Sequence, residues 1–355
     1  MDLDTYLRLL PKTELHCHFA STMDAARLIS LADREGVELP TTDPQALFDY
    51  EDLADFLVAF RAAHRVMTHP QDFAQVAYDG VRAAVASGAL RYREYAINPQ
   101  YFAPRGLAYR TVLEPIIDGL RAAEADLGVG FRIVVAISRH ESPASAVELV
   151  ETVLAHPLPE VAAIGQDDLT PQLTEDPGRF HEAYALARAG GLRTTAHAGE
   201  RHLDSAENVR VAMDVLEVDR VDHGYMIVED HDLTARARDR QIPFACTPIS
   251  TTICSGWTID SEHRIRRMID AGLNVSFSTD DALFFRTDVG REFREALPAL
   301  GLGAADARRI AMAGIDGAFC DDDQKARLRA QFSGEMAALD AALDDSDEDV
   351  DALAR

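Results

Sequence analysis

Histidine and acidic residues gather at a few points of the chain where their spacing suits metal chemistry. His16 and His18 are separated by a single residue near the start of the sequence. In an extended strand, residues i and i+2 project to the same side, so both imidazoles would face one centre while Cys17 points away. A pair of imidazoles is a common part of a zinc site. The spacing alone also suits a purely structural role for both histidines.

Three further polar motifs follow later in the chain. They are His197-Ala-Gly-Glu200, Asp222-His-Gly224 and Ser278-Thr-Asp-Asp281. Imidazole and carboxyl groups of this kind can bind a metal ion or exchange protons with a substrate. The sequence contains no HExxH, Walker or GxSxG motif that would favour a different chemistry. The motifs form one site only if the fold brings them together.

The pattern along the chain predicts the elements that would do so. Short runs rich in Val, Ile, Tyr and Thr alternate with longer stretches of helical apolar spacing, such as Pro143–Ala155, Pro177–Gly190 and Ser261–Ala271. Strands are predicted at Thr13–His18, Leu90–Ile97, Phe131–Ser138, Val161–Gln166, Leu192–His197, Arg220–Gly224, Ile242–Thr247 and Asn274–Ser278. This alternation favours the α/β class and a parallel (β/α)8 TIM barrel. A doubly wound sheet would instead call for a glycine fingerprint after the first strand. In the barrel every polar motif lies at the mouth, where ligands bind.

One connection is much longer than the others. Residues 19–89 separate the first two predicted strands, and an insertion there lies at the C-terminal face of the barrel. Leu53, Phe56, Leu57 and Phe60 share one helical face, which suits either core packing or an apolar lid. We expect one metal-dependent hydrolase domain over residues 1–343, with lid helices at about 41–88. The remaining segment, 344–355, is expected to be a disordered acidic tail.

Composition excludes several classes of partner. The chain has 35 Lys and Arg against 60 Asp and Glu, a formal net charge of -25. Such a charge excludes nucleic acid as the expected partner and disfavours an anionic membrane surface. No apolar run is long enough for a membrane helix, and the acidic start lacks the basic region of a secretory signal. The four cysteines show no paired spacing, so we expect free thiols and a cytoplasmic location.

Taken together, the motifs resemble those of the adenosine deaminase family of the amidohydrolase superfamily, over nearly the whole chain. Pro11–His18 resembles the family's opening PKxELHxH, and Leu53–Phe60 resembles its lid helix. The other matching segments are Tyr92–Glu94 with Pro99 (second strand), Thr195–Glu200 (HAGE), Asp222–Tyr225 (HGY), Cys246–Ser250 (CPxS) and Ser278–Asp281 (NTDD).

The resemblance implies a zinc-dependent hydrolytic deaminase that replaces the 6-amino group of an aminopurine by a carbonyl and releases ammonia. It implies one zinc ion per chain, with an open position for water, bound by His16, His18, His197 and Asp280. It further implies that Glu200 donates a proton to ring nitrogen N1 and that His223 orients or deprotonates the water. Asp281 would bond or share a proton with N7. Burial would raise the pKa of Glu200 for this task.

Departures from the family pattern fall on positions that would contact the substrate. Ala20 stands where an acid is expected to hold the ribose 5′-hydroxyl, and Ala96 replaces an arginine of the second strand. Asp168 stands where a glycine amide is expected to meet purine N3. The candidate substrate-binding residues are Phe19, Ala20, Phe56, Leu57, Phe60 and Asp168. We therefore expect a free base, or a nucleoside altered at its 5′ position, to be preferred to adenosine. The alternatives are deamination of another aminated heterocycle such as a pterin, and a non-catalytic binding protein on the same fold.

Overall fold

The computed structural model describes residues 1–50 and 53–353. Its centre is one sheet of eight parallel strands, each paired with the next in chain order. The strands are β1 Lys12–Glu14, β2 Leu90–Ile97, β3 Gly130–Ser138, β4 Val161–Asp167, β5 Arg193–Ala198, β6 Arg220–His223, β7 Pro243–Cys246 and β8 Asn274–Phe277. An isolated parallel bridge between Cys17 and Asp280 joins the segments that follow β1 and β8. The sheet is therefore a nearly closed barrel, and the predicted (β/α)8 architecture is confirmed.

Helices occupy the connections between the strands. The α-helices are α1 Leu3–Leu9, α2 Ala25–Glu35, α3 Leu53–Val66, α4 Pro70–Gly88, α5 Tyr109–Leu127, α6 Pro143–Ala155, α7 His181–Ala189, α8 Ala206–Asp214, α9 His231–Asp239, α10 Ser250–Cys254, α11 Arg264–Asp270, α12 Val289–Arg291, α13 Leu297–Ala299, α14 Ala304–Gly317 and α15 Asp322–Leu353. A π-helical turn, Glu292–Ala296, joins α12 to α13. Short 3-10 turns lie at Phe19–Thr22, Ala46–Phe48, Pro99–Tyr101, Ala103–Arg105, Pro177–Phe180 and Tyr225–Glu229.

The strands are buried because helices cover the outside of the barrel. In β3, Arg132 is the one residue that is not fully buried. Strands that are buried in this way are nearly continuous apolar runs, which is why they could be located from the sequence.

The first strand is shorter than predicted. Its regular pairing ends at Glu14, although the sequence pattern extended it to His18. The N–H groups of Leu15 and His16 donate to the Ser278 hydroxyl, at 3.0 and 3.1 Å, instead of to a neighbouring strand. The segment to His18 nevertheless stays beside the end of β8, because the His18 N–H donates to the Asp280 carbonyl at 3.1 Å.

Helix boundaries follow the capping residues. Helix α6 has the predicted bounds, and the Ser142 side chain accepts the Ser145 N–H at its start. The helix predicted from Ser261 begins only at Arg264, because the His263 ring accepts the Ile265 N–H and caps it. The segment predicted as one helix, Pro177–Gly190, is a 3-10 turn followed by α7.

Three helices, α2 to α4, fill the long connection between β1 and β2. Helix α3 buries Phe56, Leu57 and Phe60, and its role as a lid stays a prediction. The single-domain boundary at residue 343 also stays a prediction. The backbone of α15 reaches Leu353, and the tail predicted at 344–355 ends beyond the described residues, so its disorder is a prediction too. In the ranges 1–50 and 53–353, we find no helix that is both long and apolar enough to span a membrane.

Candidate active site

Four side chains from three strand ends converge at the mouth of the barrel: those of His16, His18, His197 and Asp280. One ligand atom from each lies within 4.8 Å of the others, and all four residues are buried. The Nε2 atoms of His16 and His18 lie 3.1 and 3.3 Å from Asp280 Oδ1. His18 Nε2 also lies 3.3 Å from His197 Nε2. The structure thus brings together all four residues that the resemblance assigned to a metal ion.

Carboxylates stand behind the three imidazoles. Asp222 lies 3.9 Å from His16 Nδ1 and 3.7 Å from His197 Nδ1, and Asp167 lies 3.5 Å from His18 Nδ1. Carboxylates in this position orient metal-bound histidines and keep Nε2 free for the metal. Asp167 and Asp222 were not among the predicted site residues, although Asp222 belongs to the motif Asp222-His-Gly224 and Asp167 is the last residue of β4.

The donor set fits a metal ion. The Nε2 atoms of His18 and His197 lie 3.3 Å apart, and His18 Nε2 lies 3.3 Å from a carboxylate oxygen, which is the arrangement expected of ligands that share a cation. Burial, and then the neighbouring imidazoles, hold the pKa of His197 well below its ordinary range, so this ring is neutral and can bind a metal. Burial also lowers the pKa of His18, but Asp281, Asp280 and Asp167 outweigh it and raise the pKa to about 10. The negative charges of Asp280 and Asp167 therefore favour a cation beside His18.

The strand ends that carry this chemistry have unusual backbone conformations. His223 and Asp280 have φ angles of 68° and 65°, in the left-handed region that residues other than glycine rarely adopt. Such conformations cost about 1–3 kcal/mol each and persist where the surrounding structure enforces them, often at active sites. Asp280 is enforced by its backbone bonds to the segment after β1 and by the Ser250 hydroxyl, which donates to Asp280 Oδ2 at 2.7 Å.

Groups that can exchange protons lie beside the metal cluster. Glu200 Oε2 lies 3.8 Å from His223 Nε2. Burial, followed by the charges of Asp280 and neighbouring acids, raises the pKa of Glu200 to about 8, as the sequence predicted in direction. Burial likewise raises the pKa of Asp281 to about 8. Burial and the nearby His16 hold the pKa of His223 well below its usual range. Near neutral pH the site therefore combines protonated acids with a neutral imidazole base.

These groups line one pocket, and the space between its lining atoms, including the part open to solvent, is about 420 Å³. Its lining residues are His18, Phe56, Leu57, Phe60, Asp167, Asp168, Leu169, His197, Glu200, His223, Cys254, Asp280, Asp281 and Phe285. Four of the predicted substrate-binding residues are among them. Leu169, Cys254 and Phe285 were missed, and no motif in the sequence singles them out.

Phe19 and Ala20 do not lie in the lining of this pocket. Both are buried in the turn Phe19–Thr22, where the Phe19 ring packs against Tyr95 at a centroid distance of 6.2 Å. The turn forms because the N–H and hydroxyl of Ser21 both donate to the His18 carbonyl. Direct contact of Phe19 or Ala20 with a substrate stays a prediction.

Asp168 is fully enclosed by hydrogen-bond donors. Its φ angle is 63°, which explains why a glycine would also suit this position. Its carboxylate accepts bonds from Arg61 Nη2 at 3.1 and 3.2 Å and from the Tyr101 hydroxyl at 2.7 Å. The Ser138 hydroxyl and the Leu169 N–H add bonds of 3.1 and 2.7 Å. Asp168 therefore connects helix α3 to the ends of β2, β3 and β4.

A (β/α)8 barrel with a buried His/Asp metal cluster and an acid–base pair at its mouth defines a metal-dependent hydrolase. The family model described as Adenosine deaminase matches residues 11–333, and the chain belongs to this family. The predicted family and the predicted class of metal-dependent deaminase are thereby confirmed.

Relatives match over nearly their full length. An adenine deaminase of Streptomyces coelicolor is 32% identical over 332 residues, covering 93% of this chain and 95% of the relative. A crystal structure of an amidohydrolase from Burkholderia ambifaria with bound Zn has a TM-score of 0.86 and 33% identity, covering 96% and 94% of the two chains. The crystal structure of adenine deaminase from Arthrobacter aurescens has a TM-score of 0.84 and 31% identity, covering 91% and 98%.

Proposed function

We propose that the protein hydrolytically deaminates the free base adenine and uses one Zn²⁺ per chain. The observation that carries this proposal is that His18, His197 and Asp280 of the four-ligand cluster line one pocket together with Glu200, His223 and Asp281. A hydrolytic deaminase needs a polarised water, a base for its proton and an acid for the ring, and the pocket offers a candidate for each need. Relatives that are adenine deaminases support the choice of base.

The proposed zinc ligands are His16, His18, His197 and Asp280. A set of three imidazoles and one carboxylate suits Zn²⁺, and the Burkholderia ambifaria relative contains Zn. When bound, the ion lowers the pKa of water toward neutrality and so makes it a nucleophile at neutral pH.

The side chains around the ion then divide the proton transfers between them. His223 is neutral, and its Nε2 is buried without a hydrogen-bond partner among the described residues, so it can take the proton of the attacking water. Glu200 gives a proton to ring nitrogen N1, which makes C6 more electrophilic. Asp281 holds N7. The C6–O bond forms as His223 takes one proton of the water. The bond from C6 to the amine then breaks as His223 passes this proton to the amine, which leaves as ammonia. The hydroxyl at C6 gives its remaining proton to Glu200 and becomes the carbonyl.

The pocket walls support a free base rather than a nucleoside. Phe56, Leu57 and Phe60 of α3, together with Phe285, supply apolar surface for a planar ring. Asp168 lines the same pocket, and its side chain is 0% exposed and already accepts bonds from protein donors. It has no free oxygen to offer to ribose hydroxyls. We also propose that α3 acts as the lid that separates the bound base from water.

The test is ammonia release from adenine by purified protein whose metal content is measured on the same sample. We expect about one zinc per chain, formation of the 6-oxopurine in a 1:1 ratio to ammonia, and loss of turnover after chelation that zinc restores. The His197→Ala variant should lose both the metal and the activity. Full activity in metal-free protein would contradict the metal assignment. Deamination of a pterin but not of adenine would favour the alternative heterocycle, and metal binding without any turnover would favour the non-catalytic binding protein.

We also infer a cytoplasmic location. The four cysteines are buried free thiols, which supports a reducing compartment.

A further inference from the structure

Glu175 is a buried acid that neither the metal cluster nor the proposed proton transfers use. It lies between β4 and α7 and is 1% exposed. Its Oε2 atom accepts the Gly199 N–H at 2.7 Å and the Asn208 side-chain amide at 2.6 Å. Its Oε1 atom accepts the Glu200 N–H at 2.9 Å. A buried carboxyl group is costly unless its oxygens are hydrogen-bonded, and here two of the three donors are the backbone amides of the proposed proton donor and of the residue before it.

The turn at Gly199 and Glu200, which donates two of these bonds, has the backbone conformation that they require. Gly199 has a φ angle of 65°, and a Cβ atom there would lie 2.8 Å from the Val209 side chain, so glycine is required. This conformation lets two successive N–H groups point at one acceptor group. The carbonyl of Glu200 accepts the Ser255 hydroxyl at 3.0 Å. Both polar groups of the Glu200 backbone are therefore held by side chains.

The turn that presents Glu175 is braced as well. The Thr170 N–H donates to the Thr174 carbonyl at 2.9 Å, and the two threonine hydroxyls lie 2.8 Å apart. The guanidinium of Arg201 donates to the Leu173 carbonyl at 3.2 Å. The two turns are thus joined at two points, by the bonds of Glu175 and by the bond from Arg201 to Leu173.

We propose that Glu175 is a positioning residue that fixes the backbone of Glu200, so that the Glu200 carboxyl group stays beside His223 and faces the ring nitrogen of the substrate. This role rests on the proposed function, because Glu175 acts through Glu200. Glu175 is not among the residues that line the pocket. Displacing a catalytic group by about 1 Å can cost on the order of 10²-fold in rate.

The test is Glu175→Gln, which keeps the shape of the side chain but replaces one acceptor oxygen by an NH₂ group. Because that NH₂ group would face a backbone N–H and cannot accept its hydrogen bond, at least one of the bonds from Gly199 or Glu200 is lost. We expect kcat for the aminopurine to fall about 10- to 100-fold while KM changes less than about threefold. Metal content should not change. Glu207→Gln is the matched control. Glu207 is an exposed acid next to Asn208 in the chain, and its carboxylate accepts a bond from Arg210 instead of from the Glu200 turn. This control variant should keep the wild-type kcat.

Two further measurements separate positioning from a general loss of structure. In a Glu200→Gln background, Glu175→Gln should lower kcat by less than about threefold, since the group it positions is already absent. Equal losses in both backgrounds, or an unchanged kcat in the single variant, would overturn the proposal. Hydrogen exchange of the peptide 195–201 needs no substrate and should be faster in the variant; unchanged exchange would also overturn it. The hydrogen-exchange measurement stays informative even if the protein does not turn over adenine. A lack of adenine turnover would refute the proposed function but not the positioning role of Glu175. If Glu175→Gln does not fold, Asn208→Ala removes one donor and should give a smaller kcat loss of the same kind.

Discussion

The salt bridge between Arg61 and Asp168 links the proposed lid to the pocket wall, and breaking it should weaken substrate binding. We consider Arg61→Met, which keeps most of the apolar stem and removes the guanidinium. The variant loses two contacts, at 3.1 and 3.2 Å, between Arg61 Nη2 and the Asp168 oxygens. Asp168 keeps the bonds from Tyr101, Ser138 and Leu169, so its carboxylate is not left unpaired.

The magnitude follows from the exposure of the two partners. The Asp168 side chain is 0% exposed, but that of Arg61 is 38% exposed and partly screened by water. A hydrogen bond to a buried charge contributes about 1.5–3 kcal/mol and an exposed ion pair about 0.2–1 kcal/mol, so we assign about 1 kcal/mol to this pair. If the pair holds α3 closed over the bound base, KM for adenine should rise about fivefold, and kcat should change by less than about twofold.

The assay is steady-state ammonia release at low and high salt. The KM of the wild type should rise with ionic strength, because the exposed side of the pair is screened, while the KM of Arg61→Met should respond less. Arg65→Met is the matched control, since Arg65 lies one turn further along α3 and is exposed. An unchanged KM in Arg61→Met, or an equal rise in Arg65→Met, would refute the reasoning.

Two more variants probe groups whose burial the structure defines. Glu200→Gln should keep its metal but lose roughly 10²–10⁴-fold in kcat, the usual contribution of a general acid; near-normal turnover would assign the proton transfer to another group. Glu292 is buried at the π-helical turn, and burial raises its pKa well above the ordinary 4.5. The folded state therefore holds this proton more tightly than the unfolded state, and stability falls as pH rises from about 4.5 toward the raised pKa. Glu292→Gln removes this loss, so urea unfolding should show a smaller decrease in stability from pH 5 to pH 8 than in the wild type. Parallel pH dependences would contradict the prediction.

Most of the site could be predicted because its residues sit at strand ends. In a parallel barrel the C-terminal ends of all strands lie at the same face. Once the strands were located in the sequence, His16, His197 and Asp280 were therefore expected to lie close together. The apolar runs of buried strands and the caps of helices such as α6 are local signals, and they appear in the sequence without knowledge of the fold.

The parts that could not be predicted depend on contacts between distant segments. The end of β1 is set by the Ser278 hydroxyl, which takes the N–H groups that a strand would have paired. The bonds of Glu175 to the amides of Gly199 and Glu200, and the pairing of Arg61 with Asp168, each join separate loops. No motif or periodicity encodes such pairs, because each residue is ordinary in its own local sequence.

The central claim is that this pocket deaminates a free aminopurine base, and the most direct test compares adenine with adenosine on one zinc-loaded sample. The measured quantity is kcat/KM from initial rates of ammonia release. The family resemblance places Ala20 where an acid would accept the ribose 5′-hydroxyl, so a contact worth about 1.5–3 kcal/mol is expected to be missing for the nucleoside. We predict that adenine exceeds adenosine by about tenfold or more. Adenosine exceeding adenine by about tenfold would contradict the account.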